Sequence, residues 1–471
     1  MVSLSLVTVI ATVLFLNKRN AKYYHYGSYL LIFGCSLVGL YWIHNSLYVI
    51  GGLPFPLSVF STGLLAFYVA VFYIVALVLS RIYDLSSLEI AALITGLELL
   101  RSLLFSGFPW LEIGVLGVNL PLAKLAPFLG SYGVTFFIVL CIATLVNNFN
   151  FRSVCKVLSL VLISFFVGLI NLTDETKDPI KILLVQGGIP QVIKFNPDHE
   201  LKVQKKYYSL IKTAISNNDK IEVVILPETA LIRPLELTDK DFLEKLSNLI
   251  ATSDSKLLTG IPYVKNEKWY NSLLLLEPNL KNPFFFEIAG KYHKQHLVPF
   301  GEFVPSGFRW FIEKMKIPLG DFSRGERIQS PIVLGEYRIV ANICFEDLFN
   351  SEIIEHLRQQ GLENESTILL NISNLGWFGE SNSLKYHLMA ARMRSIETSK
   401  PTVRSTNTGM TAHIDHKGTV KALLQPTKPG YIVTEVSGRA GQTPFTNYGN
   451  TPILLLCIFV LLAGAVRRFF R

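Results

Sequence analysis

Apolar residues in this chain gather in blocks rather than spreading evenly. Long runs occupy Val2–Leu16, Tyr29–Tyr48, Leu57–Leu79, Ile90–Phe105, Ala126–Val146 and Val157–Ile170, and one more lies near the end at Pro452–Val466. A helix that crosses a bilayer needs about 17 to 25 such residues, so the runs predict membrane-spanning helices, the shortest barely long enough. Between the sixth and last runs the pattern changes. Short β-branched stretches at Ile180–Val185, Ile221–Leu226, Lys256–Gly260, Ser272–Leu276, Tyr337–Ile343 and Thr367–Ile372 predict buried strands. Polar periodic stretches at Lys240–Thr252 and Asn350–Gln360 predict helices. The expected architecture is a multi-pass α-helical membrane bundle over residues 1–172, an α/β domain over 174–447, and a C-terminal transmembrane helix with a basic tail over 452–471.

Composition agrees with that division. The 471 residues are 50% hydrophobic and only 17% charged, with a mean hydropathy of +0.39, whereas a soluble domain carries about 25% charged residues. An ordinary soluble enzyme and a disordered chain are both excluded. The net charge of +9 suggests a nucleic-acid partner until it is located. Residues 1–172 hold 8 Lys/Arg against 4 Asp/Glu and the tail adds 3 Arg, which leaves 33 basic and 31 acidic residues for the polar middle. The excess flanks membrane segments, so no nucleic acid is expected.

Lys and Arg accumulate in cytoplasmic loops. Lys18, Arg19 and Lys22 follow the first run, Arg81 the third, Arg152 and Lys156 the fifth, and Arg467, Arg468 and Arg471 the last, whereas residues 45–56 contain no basic residue. By alternation the polar domain is expected outside the cytoplasm. Met1–Leu16 has no basic residue before its apolar stretch and no small-residue cleavage site, and it is read as a retained helix rather than a signal peptide. Glu98 and Arg101, three residues apart on one helical face, are expected to face the bundle interior as a structural anchor.

Of five cysteines, Cys35, Cys141, Cys155 and Cys457 lie in or beside apolar runs, and Cys344 alone belongs to the polar domain. One cysteine makes no internal disulfide, and a free Cys is most often an inert core residue. Cys344, however, follows the strand Tyr337–Ile343 directly, and strand ends are where α/β proteins place reacting groups. A nucleophilic thiol needs a base and a cation for its oxyanion. Glu228, at the end of Val223–Leu226, and Lys294, in KYHKQHLVPFGE, are the candidates, although a lone Glu at a turn or a lone Lys is ordinarily a solvated residue. His293 and His296 come with no HExxH pattern or cysteine pair, and there is no phosphate loop or Gly-x-Ser-x-Gly elbow, so neither metal nor cofactor is expected.

Glu228 in LPETA, Lys294 in KQHLVPFGE and Cys344 in ICFED stand in the order and context of the Glu-Lys-Cys triad of the nitrilase (carbon-nitrogen hydrolase) superfamily. With GLYWIHNSL (39–47), ELLRSLLFSGFPW (98–110), VQGGIPQ (185–191), HLVPFGEFVP (296–305), NISNLGWFGES (371–381) and RSTNTGMTAHID (404–415), the chain resembles the apolipoprotein N-acyltransferases of that superfamily. The resemblance implies an α-β-β-α sandwich on the periplasmic side of a bacterial inner membrane and a ping-pong acyl transfer without metal or nucleotide. In that scheme Cys344 attacks a phospholipid ester, Glu228 takes the thiol proton and Lys294 stabilises the oxyanion. The resulting thioester is then aminolysed by the N-terminal amine of a diacylglyceryl-cysteine apolipoprotein. Glu302 and Glu346 resemble supporting residues, and Phe195, Asn271, Phe345 and Trp377 resemble substrate-positioning ones. The family usually has Trp at the position of Phe195, often Tyr at Phe345, Asn-Asp-Ala at Asn374–Gly376, and eight membrane helices against the seven runs counted here. The alternatives are a membrane-tethered amidase that uses water as acceptor, and a non-catalytic membrane binding protein. The latter predicts polar, interrupted helices, and ionisable groups in the runs are few. Downstream of Glu302, residues 308–317 place Phe308, Phe311, Ile312 and Met315 at helical spacing and predict an amphipathic helix that guides phospholipid at the membrane interface.

Overall fold

A computed structural model describes residues 2–18, 22–176, 178–279, 286–304, 307, 321–359, 361 and 365–470. The expected amphipathic helix at 308–317 lies outside the described residues. All seven apolar runs are helical, at Val2–Lys18, Lys22–Leu40, Phe55–Ile82, Ser87–Arg101, Ala126–Asn147, Phe151–Val167 and Thr451–Phe469. Among the described residues, three helical segments are long and apolar enough to cross a membrane: Phe55–Ile82, Pro121–Asn147 and Thr451–Phe469. Lys22–Leu40 and Trp42–Ile50, bent by 43°, make a fourth if taken as one span. The chain is therefore a membrane protein.

The fourth run departs from expectation. Its helix begins on a capping box in which Ser86 and Glu89 satisfy each other's backbone N–H groups. It stops at Arg101 rather than at Phe105, because Phe105 (φ 53°), Ser106 (φ 74°) and Gly107 (φ 84°) take left-handed conformations that no helix can continue. Glu98 and Arg101 are both buried inside the bundle, and Glu98 carries the hydrogen bonds. Its carboxylate accepts from the Tyr73 hydroxyl, from Ile113 N–H at 3.0 Å and from Thr135 Oγ1 at 2.8 Å, while Arg101 lies 5.5 Å from the Tyr73 ring. At one end of the bundle, Lys18 Nζ donates to the Asn147 carbonyl at 2.6 Å, and Arg468 and Arg467 reach Glu89 at 2.5 and 3.4 Å.

The α/β part is a four-layer sandwich. One sheet of six strands runs in the order Gly430–Val436, Ile180–Gln186, Val223–Ile225, Lys256–Lys265, Lys268–Pro278, Phe286–His293. Its second, third and fourth strands are parallel and the outer pairings antiparallel. The other sheet, of eight strands, has Tyr337–Ile343, Ser366–Ser373 and Thr402–Thr406 parallel at its centre. These strands are buried on both faces, so they read as continuous apolar runs rather than alternating ones. Ile182, Leu184, Val223 and Ile225 meet Ile339, Ile343, Ile368 and Leu370 between the sheets. Their neighbours Leu183, Val185 and Val224 point the other way, onto the helices Glu200–Asn217 and Lys240–Thr252.

On the far side of the eight-stranded sheet lies the helix Asn382–Thr398, which sequence periodicity does not pick out. It is buried nearly all round because it is packed between that sheet and the membrane helix Ala126–Asn147. Its Glu397 accepts from Ser131 N–H at 2.7 Å and pairs with Arg394 at 2.7 Å, and its Tyr386 hydroxyl donates to the Pro109 carbonyl at 3.1 Å.

Candidate active site

Three strand ends converge. Glu228 follows Val223–Ile225 and Lys294 follows Phe286–His293, both in the six-stranded sheet, while Cys344 follows Tyr337–Ile343 in the facing one. All three side chains are buried. Cys344 opens a 3-10 turn, Cys344–Leu348, with φ of +56°, a left-handed conformation that costs a β-carbon-bearing residue about 1 to 3 kcal/mol and is found where neighbours over-determine the backbone. Here Ile343 N–H donates to Glu346 at 2.6 Å, and the Cys344 carbonyl accepts from Asn371 Nδ2 at 3.3 Å.

Lys294 Nζ contacts Glu302 at 2.8 and 2.9 Å and Glu228 Oε1 at 3.6 Å. Burial alone would push this lysine down, but the Glu302 and Glu228 carboxylates outweigh it and raise it well above the ordinary lysine range, so the ammonium is permanently charged. Asn271 bridges both carboxylates, its Nδ2 donating at 2.8 Å to each, and its carbonyl accepts Lys294 N–H at 2.8 Å. The other oxygen of Glu228 accepts Asn374 N–H at 2.6 Å. Burial and the Glu228 carboxylate raise the Cys344 thiol far above its usual value, with Lys294 opposing. At rest Cys344 is therefore a thiol, and a thiol that acts as a nucleophile must pass its proton to a base as it attacks.

Glu346 is not a surface charge. It accepts N–H donors from Gln295 (2.7 Å), His296 (3.0 Å) and Ile343, and the Tyr292 hydroxyl at 3.0 Å, which ties the Cys344–Leu348 turn to the residues after Lys294. Burial and the Glu352 carboxylate push it up to about 8 against those N–H groups. Phe345 is buried against Phe349 (ring centroids 5.0 Å apart) and His296 (5.6 Å). Phe195 is half exposed beside Lys194. Trp377 is partly buried, and its carbonyl accepts from Ser46 Oγ at 2.7 Å and Asn45 Nδ2 at 3.2 Å, which pins its loop to the membrane bundle. His293 bonds Ser272 at 2.7 Å and His296 bonds Glu352 at 2.6 Å.

Residues 1–144 match the family model for the apolipoprotein N-acyltransferase N-terminal domain, and residues 184–445 match the carbon-nitrogen hydrolase model. An apolipoprotein N-acyltransferase of Ralstonia nicotianae is 34% identical over 453 residues, covering 92% of this chain and 83% of that protein. The chain belongs to the apolipoprotein N-acyltransferase family. The family's member from Shewanella oneidensis is 31% identical over 467 residues, covering 95% of this chain and 88% of its own. A solved carbon-nitrogen hydrolase superfamily protein from Xanthomonas campestris aligns at 17% identity and a TM-score of 0.39, covering 55% of this chain and 91% of that one.

Sequence reasoning missed several residues that touch Glu228 or its partners. Asn374 supplies the N–H noted above, and its side chain donates to Gln191 at 2.9 Å and accepts from Asn407 at 3.0 Å. Lys194 Nζ donates to the Glu228 carbonyl at 2.8 Å. The available signal was positional: Gln191, Asn374 and Asn407 all fall inside motifs shared with the family, and Lys194 lies three residues beyond one of them.

Proposed function

We propose that this protein transfers an acyl chain from a membrane phospholipid, through a thioester on Cys344, to the N-terminal amine of diacylglyceryl-cysteine apolipoproteins, completing lipoprotein maturation. Glu228 accepts the thiol proton as sulfur attacks the ester carbonyl. Lys294 stabilises the oxyanion. Collapse expels a lysophospholipid whose alkoxide takes the proton back from Glu228. The acceptor amine then attacks the thioester, Glu228 moves its proton to the departing thiolate, and an amide and the free thiol result.

The observation that carries this reading is the convergence of a buried, strained Cys344 with a lysine held charged between two carboxylates, one of which, Glu228, also acts on the thiol. Glu302 and Glu346 support the triad, the first by holding Lys294 and the second by fixing the turn. Phe195, Phe345 and Trp377 line the approach of substrate, and Asn271 orients the two carboxylates. The family-model matches over 1–144 and 184–445 support the division into a membrane part (1–172), a catalytic part (174–447) and a final membrane helix with a basic tail (452–471). The clustering of Lys18, Glu89, Arg467 and Arg468 at one end of the bundle supports a cytoplasmic placement of that end in a bacterial inner membrane, with the catalytic part on the periplasmic side.

The test is incubation of the purified protein with labelled phospholipid vesicles, then with a diacylated lipopeptide. A hydroxylamine-sensitive adduct on Cys344 that is discharged to the lipopeptide amine, and is absent in Cys344→Ala, is the expected result. Release of free fatty acid with no acylated peptide would replace this reading with that of a hydrolase.

A further inference from the structure

Lys194 is wholly buried, yet among the described residues no carboxylate lies within 4 Å of it. Burying an ammonium group without an anionic partner is costly, and a lysine tolerated in this state ordinarily has a task that a hydrophobic residue could not perform. Its one side-chain hydrogen bond among the described residues, at 2.8 Å, goes to the main-chain carbonyl of Glu228. The next residue, Thr229, has φ of +47°, so that carbonyl sits at the mouth of a strained turn. Gln191 occupies the same short helix, Gln191–Lys194, three positions earlier and on the same face. It accepts from Asn374 Nδ2 at 2.9 Å, and Asn374 N–H donates to Glu228 Oε2 at 2.6 Å. On the opposite face of the helix Val192 is 78% exposed.

We infer that Lys194 is a positioning residue for Glu228: its terminal nitrogen holds that residue by the main-chain carbonyl, while Gln191 on the same helical face holds, through Asn374, the contact to the carboxylate. The inference rests on the proposed role of Glu228 as base. Four charged or titratable groups matter for its charge: Glu228 and Cys344, which act on Lys194 directly, and Lys294 and Glu302, which contact the Glu228 carboxylate or its partner. Burial depresses Lys194 to about 7 against the opposing pull of Glu228 and Cys344. A neutral amine keeps its N–H donors, so the grip on the carbonyl survives deprotonation. What disappears is a positive charge near Glu228, and without it the carboxylate is a stronger base. Cys344 and Lys294 titrate well above neutrality and stay fixed across this range.

The experiment follows acyl-adduct formation on Cys344 of the full-length protein with phosphatidylethanolamine–phosphatidylglycerol vesicles, without acceptor, between pH 5.5 and 8.5. Wild type should accelerate through a step near pH 7. Lys194→Met should lose about ten- to a hundredfold in the saturated rate, leave the half-saturating lipid concentration within about twofold, and lack the step. A merely structural residue would reduce the amount of folded protein without moving a pH profile. If the Met variant folds poorly, Lys194→Gln, which keeps an N–H donor, should equally lack the step. A Met or Gln variant that retains the step, or a Met variant with a wild-type saturated rate, overturns the inference and assigns any step to Glu346. Failure of the wild type itself to form an adduct instead removes the reading on which the inference rests.

Discussion

Replacing Glu302 by Gln removes one charge and leaves nearly the same shape, which isolates what that carboxylate does for Lys294. The ammonium is held by Glu302 at 2.8 Å and by Glu228 at 3.6 Å. At an effective dielectric of about 20, unit charges at these separations attract by roughly 6 and 5 kcal/mol, so the two carboxylates compete nearly evenly for the lysine. Without Glu302 the competition ends, and Lys294 closes onto Glu228. Part of the lost energy returns through that closer pair, which leaves a net cost of about 3 kcal/mol in stability, at the lower end for a broken buried pair. Catalysis suffers for a different reason. A Glu228 that is tightly paired to Lys294 is a weaker base, and the lysine is withdrawn from the position where it meets the oxyanion. A loss of about 3 kcal/mol in the transition state corresponds to roughly 150-fold in rate. The stability deficit should be constant between pH 6 and 9, because a lysine raised above its ordinary value contributes fully below that value and loses its contribution only as pH climbs beyond it. The assays are chemical denaturation and the single-turnover acylation of Cys344. Acylation within about threefold of wild type would refute the argument that Glu302 keeps Lys294 off the base.

Other consequences follow from the same geometry. Lys194→Met should be more stable than wild type below pH 7, and wild type should gain on the variant by about 4 to 5 kcal/mol between about 7 and the ordinary lysine range near 10.4, because only the native state deprotonates in that window. A difference independent of pH in denaturation curves would show that Lys194 does not titrate there. Gly260→Ala places a Cβ 2.5 Å from the Pro227 carbonyl and 2.6 Å from Glu228 Cα, backbone atoms that cannot rotate away, and should cost about 1 to 3 kcal/mol together with a loss of acylation. Unchanged acylation in that variant would mean that the Glu228 turn tolerates displacement. A membrane-impermeant amine reagent applied to spheroplasts should label lysines of 174–447 but not Lys18 or Lys22. Protection of the former until lysis would reverse the proposed orientation.

The strands were legible because burial on both faces makes them continuous apolar runs. Tyr337–Ile343 has the expected limits, whereas Lys256–Lys265 runs past its expected limit at Gly260 through the buried Ile261 and Pro262 and reaches solvent only at Val264 and Lys265. The helix Asn382–Thr398 was not legible, since an element enclosed by a sheet and a bundle has no polar face to give it a period. The same distinction runs through the site. Cys344 could be singled out as the one cysteine of the polar part, and Glu228 as a carboxylate at a strand end. Nothing local says that two sheets bring them together with Lys294, or that Asn271 bridges two carboxylates, because those contacts join residues between 31 and 116 positions apart in sequence. Lys194 was hidden most completely. A lysine in Gln-Val-Ile-Lys-Phe is a solvated residue on any local reading, and only the Glu228 turn folding over it makes it otherwise.

The contacts between the two parts explain why the polar part should not be expected to work alone. Trp42 packs on Phe378 with ring centroids 4.3 Å apart, Trp110 on Tyr386 at 5.0 Å, and Asn45 and Ser46 hold the Trp377 carbonyl. Trp377 is three residues from Asn374, whose N–H donates to the Glu228 carboxylate, so the segment that orients Glu228 is fastened at its other end to the membrane bundle. A second tie runs from the bundle towards Cys344, where a Cβ at Gly107 would stand 2.8 Å from Phe349, the residue that packs on Phe345 beside Cys344. Both Glu228 and Cys344 are thus reached from the bundle within a few residues. Removing the bundle would uncover Trp377, Phe378, Tyr386 and Phe349 together and free both loops, and the proposed chemistry depends on where those loops hold two side chains from facing sheets.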